Sequence, residues 1–346
     1  MHVDIADKLA HKILSYFQSN ARALAWRNPP AQPLPLDDPD WPYRVWLSEI
    51  MLQQTTVATA TPYFKTFVGR WPSFAALAAA QSDDVMAAWA GLGYYARARN
   101  MLRCAKIVCE QFDGQIPQDE TTLRSLPGIG SYTAAAITAF AFGNRAIVVD
   151  ANIERLVARI FAETSRKNIR SLTDKITPQF QSADFPQAMM DIGAQICRPK
   201  SPLCPACPVS LECLGKQTPE AFPAKQKRTP RPERQGVAWW IERGSFVFLV
   251  TRPPKGLLGG MRSLPSSQWS ATPEFHPPIE GDWQDCGAIT HVFSHFQLSL
   301  RVMALRVEKG CNLDVVGEWW PITELKQAGL PTVFAKAGQL AATKKG

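Results

Sequence analysis

The sequence predicts a two-domain protein, an all-helical domain followed by an α+β domain, and three observations carry that reading. Apolar residues recur at three- and four-residue spacing from Ile5 to about Leu214, as in 45–57 and 134–142, and no convincing strand interrupts them. Between Lys216 and Arg234 the chain turns to Lys, Arg, Gln and Pro with few large apolar residues, the composition of a basic linker. Beyond it, 237–241, 246–251 and 298–307 are rich in β-branched and aromatic residues in partial alternation, which calls for a sheet. The expected boundaries are 1–215 for the helical domain, 216–235 for the linker and 236–346 for the second domain.

Length and composition fit this division. The 346 residues are 46% hydrophobic and 20% charged, enough to bury two cores. A formal net charge of +8 makes a polyanionic partner plausible without specifying it. No apolar run is long enough to span a bilayer, and the first residues mix Asp, Lys and small apolar side chains without a leader-like core, so the expected location is the cytoplasm. In that compartment eight cysteines are not expected to form a disulfide framework.

Taken in chain order, the helical domain is punctuated at Pro29-Pro30, Gly91-Leu92-Gly93 and Pro127-Gly128, which gives many short helices, and 28–42 reads as an irregular loop. Histidine occurs only at positions 2, 11, 276, 291 and 295, so acid–base chemistry within 12–213 must use carboxylates, Tyr or Lys. Glu49 stands among apolar neighbours (Trp46, Leu47, Ile50, Met51) that would keep its carboxyl protonated. Asp150 ends the apolar run 146–149 and precedes a helix over 152–160; it is either an ordinary N-cap or an anion held near a developing cation. One acid and one anion resemble the paired carboxylates that cleave glycosidic bonds.

Two glycine turns and one cysteine loop complete the set. Leu126-Pro127-Gly128-Ile129-Gly130-Ser131-Tyr132-Thr133 leads into an Ala-rich helix and leaves backbone N–H groups open at its start, suiting either a phosphate or a plain helix-to-helix turn. In Gly91-Leu92-Gly93-Tyr94-Tyr95-Ala96-Arg97-Ala98-Arg99, arginines interleave with aromatic rings, suiting either phosphates and base stacking or an aromatic core pair flanked by solvated arginines. Cys197, Cys204, Cys207 and Cys213 crowd one Pro-rich loop while Cys104, Cys109, Cys286 and Cys311 are scattered. Four thiolates that close require a cation. Zinc and a 4Fe-4S cluster both satisfy this; the single compact loop leans toward iron–sulphur, since zinc fingers usually offer two separated Cys pairs.

Together these motifs resemble the helix-hairpin-helix iron–sulphur DNA glycosylases, and among them the adenine-directed (MutY-type) family acting on adenine mispaired with 8-oxoguanine. The resemblance runs through 48–55, 91–99, 126–133, 149–152, the cysteine loop, and Thr290-His291-Val292-Phe293-Ser294-His295-Phe296. It implies one 4Fe-4S cluster on Cys197, Cys204, Cys207 and Cys213, bracing a loop that presents Arg198 and Lys200 to DNA. It implies that Glu49 protonates the adenine leaving group and that Asp150 stabilises the sugar cation, with Tyr132 and Asn152 supporting them. Gln54 and Tyr94 would fill or wedge the stack, Arg27 would hold the flipped base, and Gly128 and Gly130 would cradle a phosphate.

The same resemblance extends to the second domain, which looks Nudix-like over 252–260 but lacks the Glu-rich metal-binding helix after Leu264. Phe293, Ser294 and His295 match the family's 8-oxoguanine-sensing loop. The implied partner is double-stranded DNA holding an A:8-oxoguanine or A:G mispair, met by a monomer in the bacterial cytoplasm, away from membranes. Relatives that also cut the strand carry a lysine where this chain has Tyr132, so a monofunctional enzyme is expected. A pyrimidine-directed lyase of the same fold and a non-catalytic DNA-binding or redox-sensing protein are the rivals. Ala151 and Ala25 depart from the family's usual glycine and proline, and the 28–42 insertion has no interpretable counterpart.

Overall fold

The computed structural model describes residues 3–224, 230–253 and 256–343. Residues 225–229 of the expected linker, and Pro254 and Lys255 of the 252–260 stretch, lie outside the described residues. The chain divides into two compact units that do not follow its linear order. One comprises Met1–Ala79 with Asn100–Lys227, and the other Ala80–Arg99 with Arg228–Gly346.

The chain supplies α1 (Val3–Asn20), α2 (Trp41–Leu52), α3 (Val57–Arg70), α4 (Phe74–Ala78), α5 (Ser82–Trp89), α6 (Ala96–Gln111), α7 (Glu120–Ser125), α8 (Ser131–Phe142), α9 (Ala151–Ile160), α10 (Arg166–Ile176) and α11 (Asp184–Gln195). Short polar side chains start several of them: the side chains of Thr56, Ser73, Asp119 and Asp150 each accept a hydrogen bond from the first turn of α3, α4, α7 and α9. In the first unit α8 packs on α2 and α7, and α9 packs on α10 and α11, with α1 against α10 and α11. From Thr133 to Ala141 every residue of α8 is buried, and its alanines let neighbouring helices approach closely. The cost of that approach is visible at Gly193 of α11, where an added Cβ would lie 2.6 Å from Asn152 Cβ and 2.9 Å from the Asn152 carbonyl oxygen.

The second unit contains a mixed sheet. Strands β1 (Glu233–Arg243), β2 (Phe246–Thr251), β3 (Arg262–Ser263), β4 (Gln284–Val292) and β5 (Gln297–Arg306) run in the order β3-β2-β1-β5-β4, and β6 (Glu318–Pro321) also pairs with β2. β1 and β5 are parallel, from Glu233 beside Gln297 to Glu242 beside Arg306, while β4 pairs with β5 antiparallel and is bulged between Asp285 and Gly287. Alternation along β1 sends Ala238 and Trp240 to one core with Leu298, Leu300 and Phe334, and Val237, Trp239 and Ile241 to another with Phe248 and Met303. The first core is closed by α12 (Thr332–Thr343), which packs on β1, β4 and β5. Among the described residues no helix lies between β3 and β4. The sheet begins at Glu233, so the last residues of the expected linker belong to β1. Among the described residues, no helix is long and apolar enough to cross a membrane.

The α9–α11 contact gives a direct test. Gly193→Ala is expected to lower stability by about 1–3 kcal/mol through overpacking against Asn152, read as a falling Tm in thermal unfolding; an unchanged Tm would show that the two helices separate freely.

Candidate active site

The first unit brings together Glu49, Tyr132, Asp150, Asn152 and Arg27, which lie far apart in sequence. Glu49 is carried on α2, whose residues from Val45 to Met51 are all buried, and is itself only 5% exposed. Burial pushes its carboxyl up to about 7, and the negative charge of Asp150 adds to the rise; the Tyr132 hydroxyl, hydrogen-bonded to Glu49, and the Arg27 cation oppose it. Tyr132, in the first turn of α8, is raised well above the usual phenol range by burial and by the charges of Glu49 and Asp150, so its hydroxyl keeps its proton and donates.

Asp150 is the N-cap of α9. Its Oδ1 accepts from the Ile153 amide at 2.7 Å and its Oδ2 from Asn152 Nδ2 at 2.7 Å. Of the two readings the sequence left open, the structure shows capping, with one oxygen committed to the helix and the other to Asn152. Arg27 stands over the Phe17 ring and donates from Nη1 to Asp191 Oδ2 at 2.7 Å and from Nη2 to Asp191 Oδ1 at 3.1 Å. Its buried Nε has no hydrogen-bond partner in the structure.

Three contributors carry no motif in the sequence. Asp191, on α11, is fully buried and also accepts from Arg22 Nε at 2.7 Å and the Arg22 amide at 3.0 Å. Its signal was available, a single acid in the apolar run 188–193, the same pattern that marks Glu49. Arg155 donates to Asn152 Oδ1 at 2.9 Å, to the Gly193 carbonyl at 2.6 Å and to the Cys197 carbonyl at 2.7 Å. Arg159, 2% exposed, reaches the carbonyls of Arg198, Pro199 and Pro219 and the Cys197 sulphur at 3.3 Å. In sequence both arginines look like ordinary solvated helix charges.

Cys197, Cys204, Cys207 and Cys213 line one cavity with Leu156, Ile160 and Ile196. Burial pushes the Cys207 thiol up to about 11 and raises that of Cys213, and the other cysteines of the group add to both shifts. Four such thiolates would repel one another without a cation, so the donor set fits a thiolate-bound metal centre. Among the described residues, no three His, Cys, Asp or Glu side chains converge tightly enough to grip a single metal ion. The loop ends by donating from Leu214 and Gly215 to the carbonyls of Ile160 and Arg159. Arg198 and Lys200 are exposed on it.

The hairpin of the first unit has Gly128 at φ +83°, where an added Cβ would come within 3.1 Å of Asn100 Cβ. Gly130 is the N-cap of α8 with no side-chain cap, leaving its first-turn amides open, but its φ of −89° needs no glycine. Gln54 is exposed in a left-handed conformation at φ +57°. Its neighbour Gln53 ties α2 to the hairpin, donating to the Gly128 carbonyl and the Thr133 hydroxyl.

The second unit gathers Tyr94, Phe293, Ser294 and His295. Between β4 and β5 the Phe293 amide closes a tight turn on the Phe296 carbonyl at 2.9 Å, and the Phe293 ring packs on Phe296, His291 and Trp269. Ser294 and His295 are exposed beyond that ring, and the Ser294 hydroxyl pairs with the Tyr94 hydroxyl at 2.8 Å. Of the two readings of this segment, phosphate contacts or solvated arginines, Arg97 fits neither. Arg97 is buried against Trp89 and Tyr94, lowering its guanidinium to about 10, and Arg99 donates to the Gly259 carbonyl.

Because the folded value of Glu49 lies above its ordinary 4.5, folding takes up a proton. Stability from this group is full below the unfolded value and lost as pH rises toward the folded one. Glu49→Gln removes the ionisation, so its stability advantage over the wild type is expected to grow by on the order of 2 kcal/mol between pH 5 and pH 8. Denaturant unfolding at both pH values reads this out; a pH-independent difference would contradict the buried-acid assignment.

Comparison with known proteins places this geometry. The profile of the HhH-GPD superfamily of base excision DNA repair proteins matches residues 47–179, and that of the NUDIX domain matches 236–339. The chain is 30% identical to the adenine DNA glycosylase of Homo sapiens, aligning 96% of itself with 74% of that protein. It is 31% identical to the adenine DNA glycosylase of Buchnera aphidicola subsp. Schizaphis graminum, over 85% of itself and 90% of the relative. Among solved structures, that of a thermostable thymine-DNA glycosylase superposes with a TM-score of 0.54 and 26% identity, covering 61% of this chain and 96% of the other. With relatives of that identity aligned across nearly all of it, the chain belongs to the adenine DNA glycosylases, base-excision-repair enzymes that hydrolyse N-glycosidic bonds.

Proposed function

We propose that this enzyme releases adenine mispaired with 8-oxoguanine, or with guanine, from double-stranded DNA and leaves an abasic site without cutting the strand. The observation that carries the reading is the buried Glu49 carboxyl, pushed up to about 7 with the charge of Asp150 adding to the rise and Tyr132 hydrogen-bonded to the acid. Glu49 gives its proton to the extruded adenine, and the bond from sugar to base breaks with its electron pair leaving on the base. Asp150 faces the cation that forms on the sugar, and water completes it. Asn152 holds the Asp150 carboxylate in place. The partnerless Nε–H of Arg27 is free to donate to the extruded base, while Asp191 fixes the rest of the guanidinium. No amine stands at position 132 to form a Schiff base.

Gly128, Gly130 and the open start of α8 suit a phosphate, and Tyr94 and Gln54, both exposed, suit entry into the base stack. Ser294 and His295 offer donors and acceptors that distinguish 8-oxoguanine from guanine while Phe293 supports their turn. Cys197, Cys204, Cys207 and Cys213 would hold one 4Fe-4S cluster, whose chemistry in this reading is to cross-link the loop that presents Arg198 and Lys200. The single compact loop favours iron–sulphur over zinc, whose fingers usually offer two separated Cys pairs. The enzyme acts as a monomer on the DNA of the bacterial cytoplasm.

Incubation with a duplex holding A opposite 8-oxoguanine, followed by hot alkali, should reveal strand breaks at the adenine. Glu49→Gln should lower single-turnover release by roughly 10²- to 10⁴-fold, and equal release by the variant would overturn the assignment. Since Glu49 must carry its proton, the wild-type rate should fall about tenfold per pH unit above about 7; a rate rising with pH there would exclude Glu49 as the acid. Borohydride should trap no covalent protein–DNA adduct at lyase levels. Purified protein should show the broad visible absorption of iron–sulphur, and stoichiometric zinc without it would refute the cluster.

A further inference from the structure

The turn that carries Tyr94 is held in an unfavourable backbone shape. Within four residues φ reaches +102° at Gly91, +72° at Gly93 and +48° at Tyr94. Glycine adopts such angles readily, whereas the Cβ of tyrosine opposes them, so groups outside the turn must keep Tyr94 there. Arg97 is in the right place to do so. It is 8% exposed, and its Nη2 donates to the carbonyls of Leu92 at 3.2 Å and Gly93 at 3.3 Å, the two residues before Tyr94. The guanidinium lies 5.1 Å from the Trp89 ring centre and 5.6 Å from that of Tyr94. Its own amide donates to the Tyr94 carbonyl at 2.8 Å. Trp89 Nε1 gives the Gly93 carbonyl a second donor at 3.0 Å, and the Tyr95 hydroxyl accepts from the Gly91 amide at 3.3 Å.

We propose that Arg97 is a positioning residue that holds the strained turn and the Tyr94 ring in the shape that enters the base stack. The proposal rests on the reading of Tyr94 as the wedge. A wedge must keep its form while stacked bases push back on it. A planar guanidinium meets that demand, because it bonds to carbonyls in its plane while covering rings with its faces. A lysine ammonium is a point charge and cannot combine both contacts. The side chain is therefore withdrawn from phosphate binding and acts on DNA only through Tyr94.

The test uses the full chain with Arg97→Lys, Arg97→Ala, Tyr94→Ala and the Arg97→Lys/Tyr94→Ala double variant. Three readouts are compared: the fluorescence rise of 2-aminopurine placed beside the 8-oxoguanine, single-turnover adenine release from the mispaired duplex, and release from an adenine in an unpaired bubble, where no wedge is needed. Arg97→Lys is expected to lose most of the fluorescence rise and to slow release from the duplex by roughly tenfold to a hundredfold, with release from the bubble nearly unchanged. The double variant should be no worse than Tyr94→Ala, since both act through one ring. Arg97→Ala should repeat this pattern where it folds, and Arg97→Lys carries the test where it does not. Wild-type behaviour of Arg97→Lys, equal losses on duplex and bubble, or effects that add in full to those of Tyr94→Ala would overturn the proposal while leaving Tyr94 as the wedge. A Tyr94→Ala variant with intact fluorescence and release would overturn the wedge reading and the proposal together.

Discussion

A buried carboxyl, Glu49, stands within reach of the charge of Asp150 in the helical unit, and the electrostatics of that pair organises what surrounds it. Asp150 accepts a hydrogen bond at each oxygen, from the Ile153 amide and from Asn152. Glu49 sits on a helix buried on nearly every side, with a phenol hydroxyl donating to it and a neighbouring negative charge against it, and burial dominates the outcome. Glu49 therefore holds its proton up to about pH 7. An acid and an anion in adjacent positions is the combination that departure of a base from a sugar requires, one group for the leaving nitrogen and one for the cation left behind. Arg27 tempers the Glu49 shift without cancelling it, because Asp191 already accepts from both of its terminal nitrogens through two paired bonds.

Placement of the anion depends on groups that never enter the pocket. Asp150 is fixed because it begins α9, and α9 is fixed because α11 approaches it closely enough that only a glycine fits at 193. Arg155 spans the same contact, joining Asn152 to the Gly193 and Cys197 carbonyls, and Arg159 binds three further carbonyls around the cysteine loop. A continuous line of hydrogen bonds thus runs from the Asp150 carboxylate through Asn152 and Arg155 to the backbone of Cys197.

What the sequence made legible, and what it concealed, follows from the range of the interactions involved. Glu49 and Asp150 were readable because their signals are local: an acid inside an apolar helix, and an acid at a helix start. The four cysteines were readable because loop spacing alone brings thiols together. The place of Arg97 stayed open because an arginine beside aromatic residues looks the same whether it faces a phosphate or folds back onto its own turn; only burial separates the two. Asp191, Arg155 and Arg159 were missed because their partners lie on other segments, up to 169 residues away for the Arg22–Asp191 pair. β4 was missed as well, since Gly287, Ala288 and exposed polar residues give it little strand character; pairing with β5 makes it a strand despite a bulge.

The segment 80–99 shows the limit of reading domains from linear order. Its apolar positions follow helical spacing like those around it, and the superfamily profile runs straight through it, yet its residues group with the sheet-containing unit. Its contacts there are specific: the Tyr94 hydroxyl with Ser294, Arg99 with the Gly259 carbonyl, and Asp83 with Arg262. The proposed wedge Tyr94 and the proposed lesion-reading turn are thereby parts of one unit. A tyrosine held at positive φ is a poor local choice, and it persists only where the surroundings over-determine it. Here they do so from two sides, Arg97 gripping the turn from within and Ser294 meeting the ring at its tip. In the proposed reading the strain in Tyr94 has a use, because a residue already in an inserting shape would lose little further freedom on meeting DNA, and a shift of Ser294 would act on Tyr94 through a single hydrogen bond.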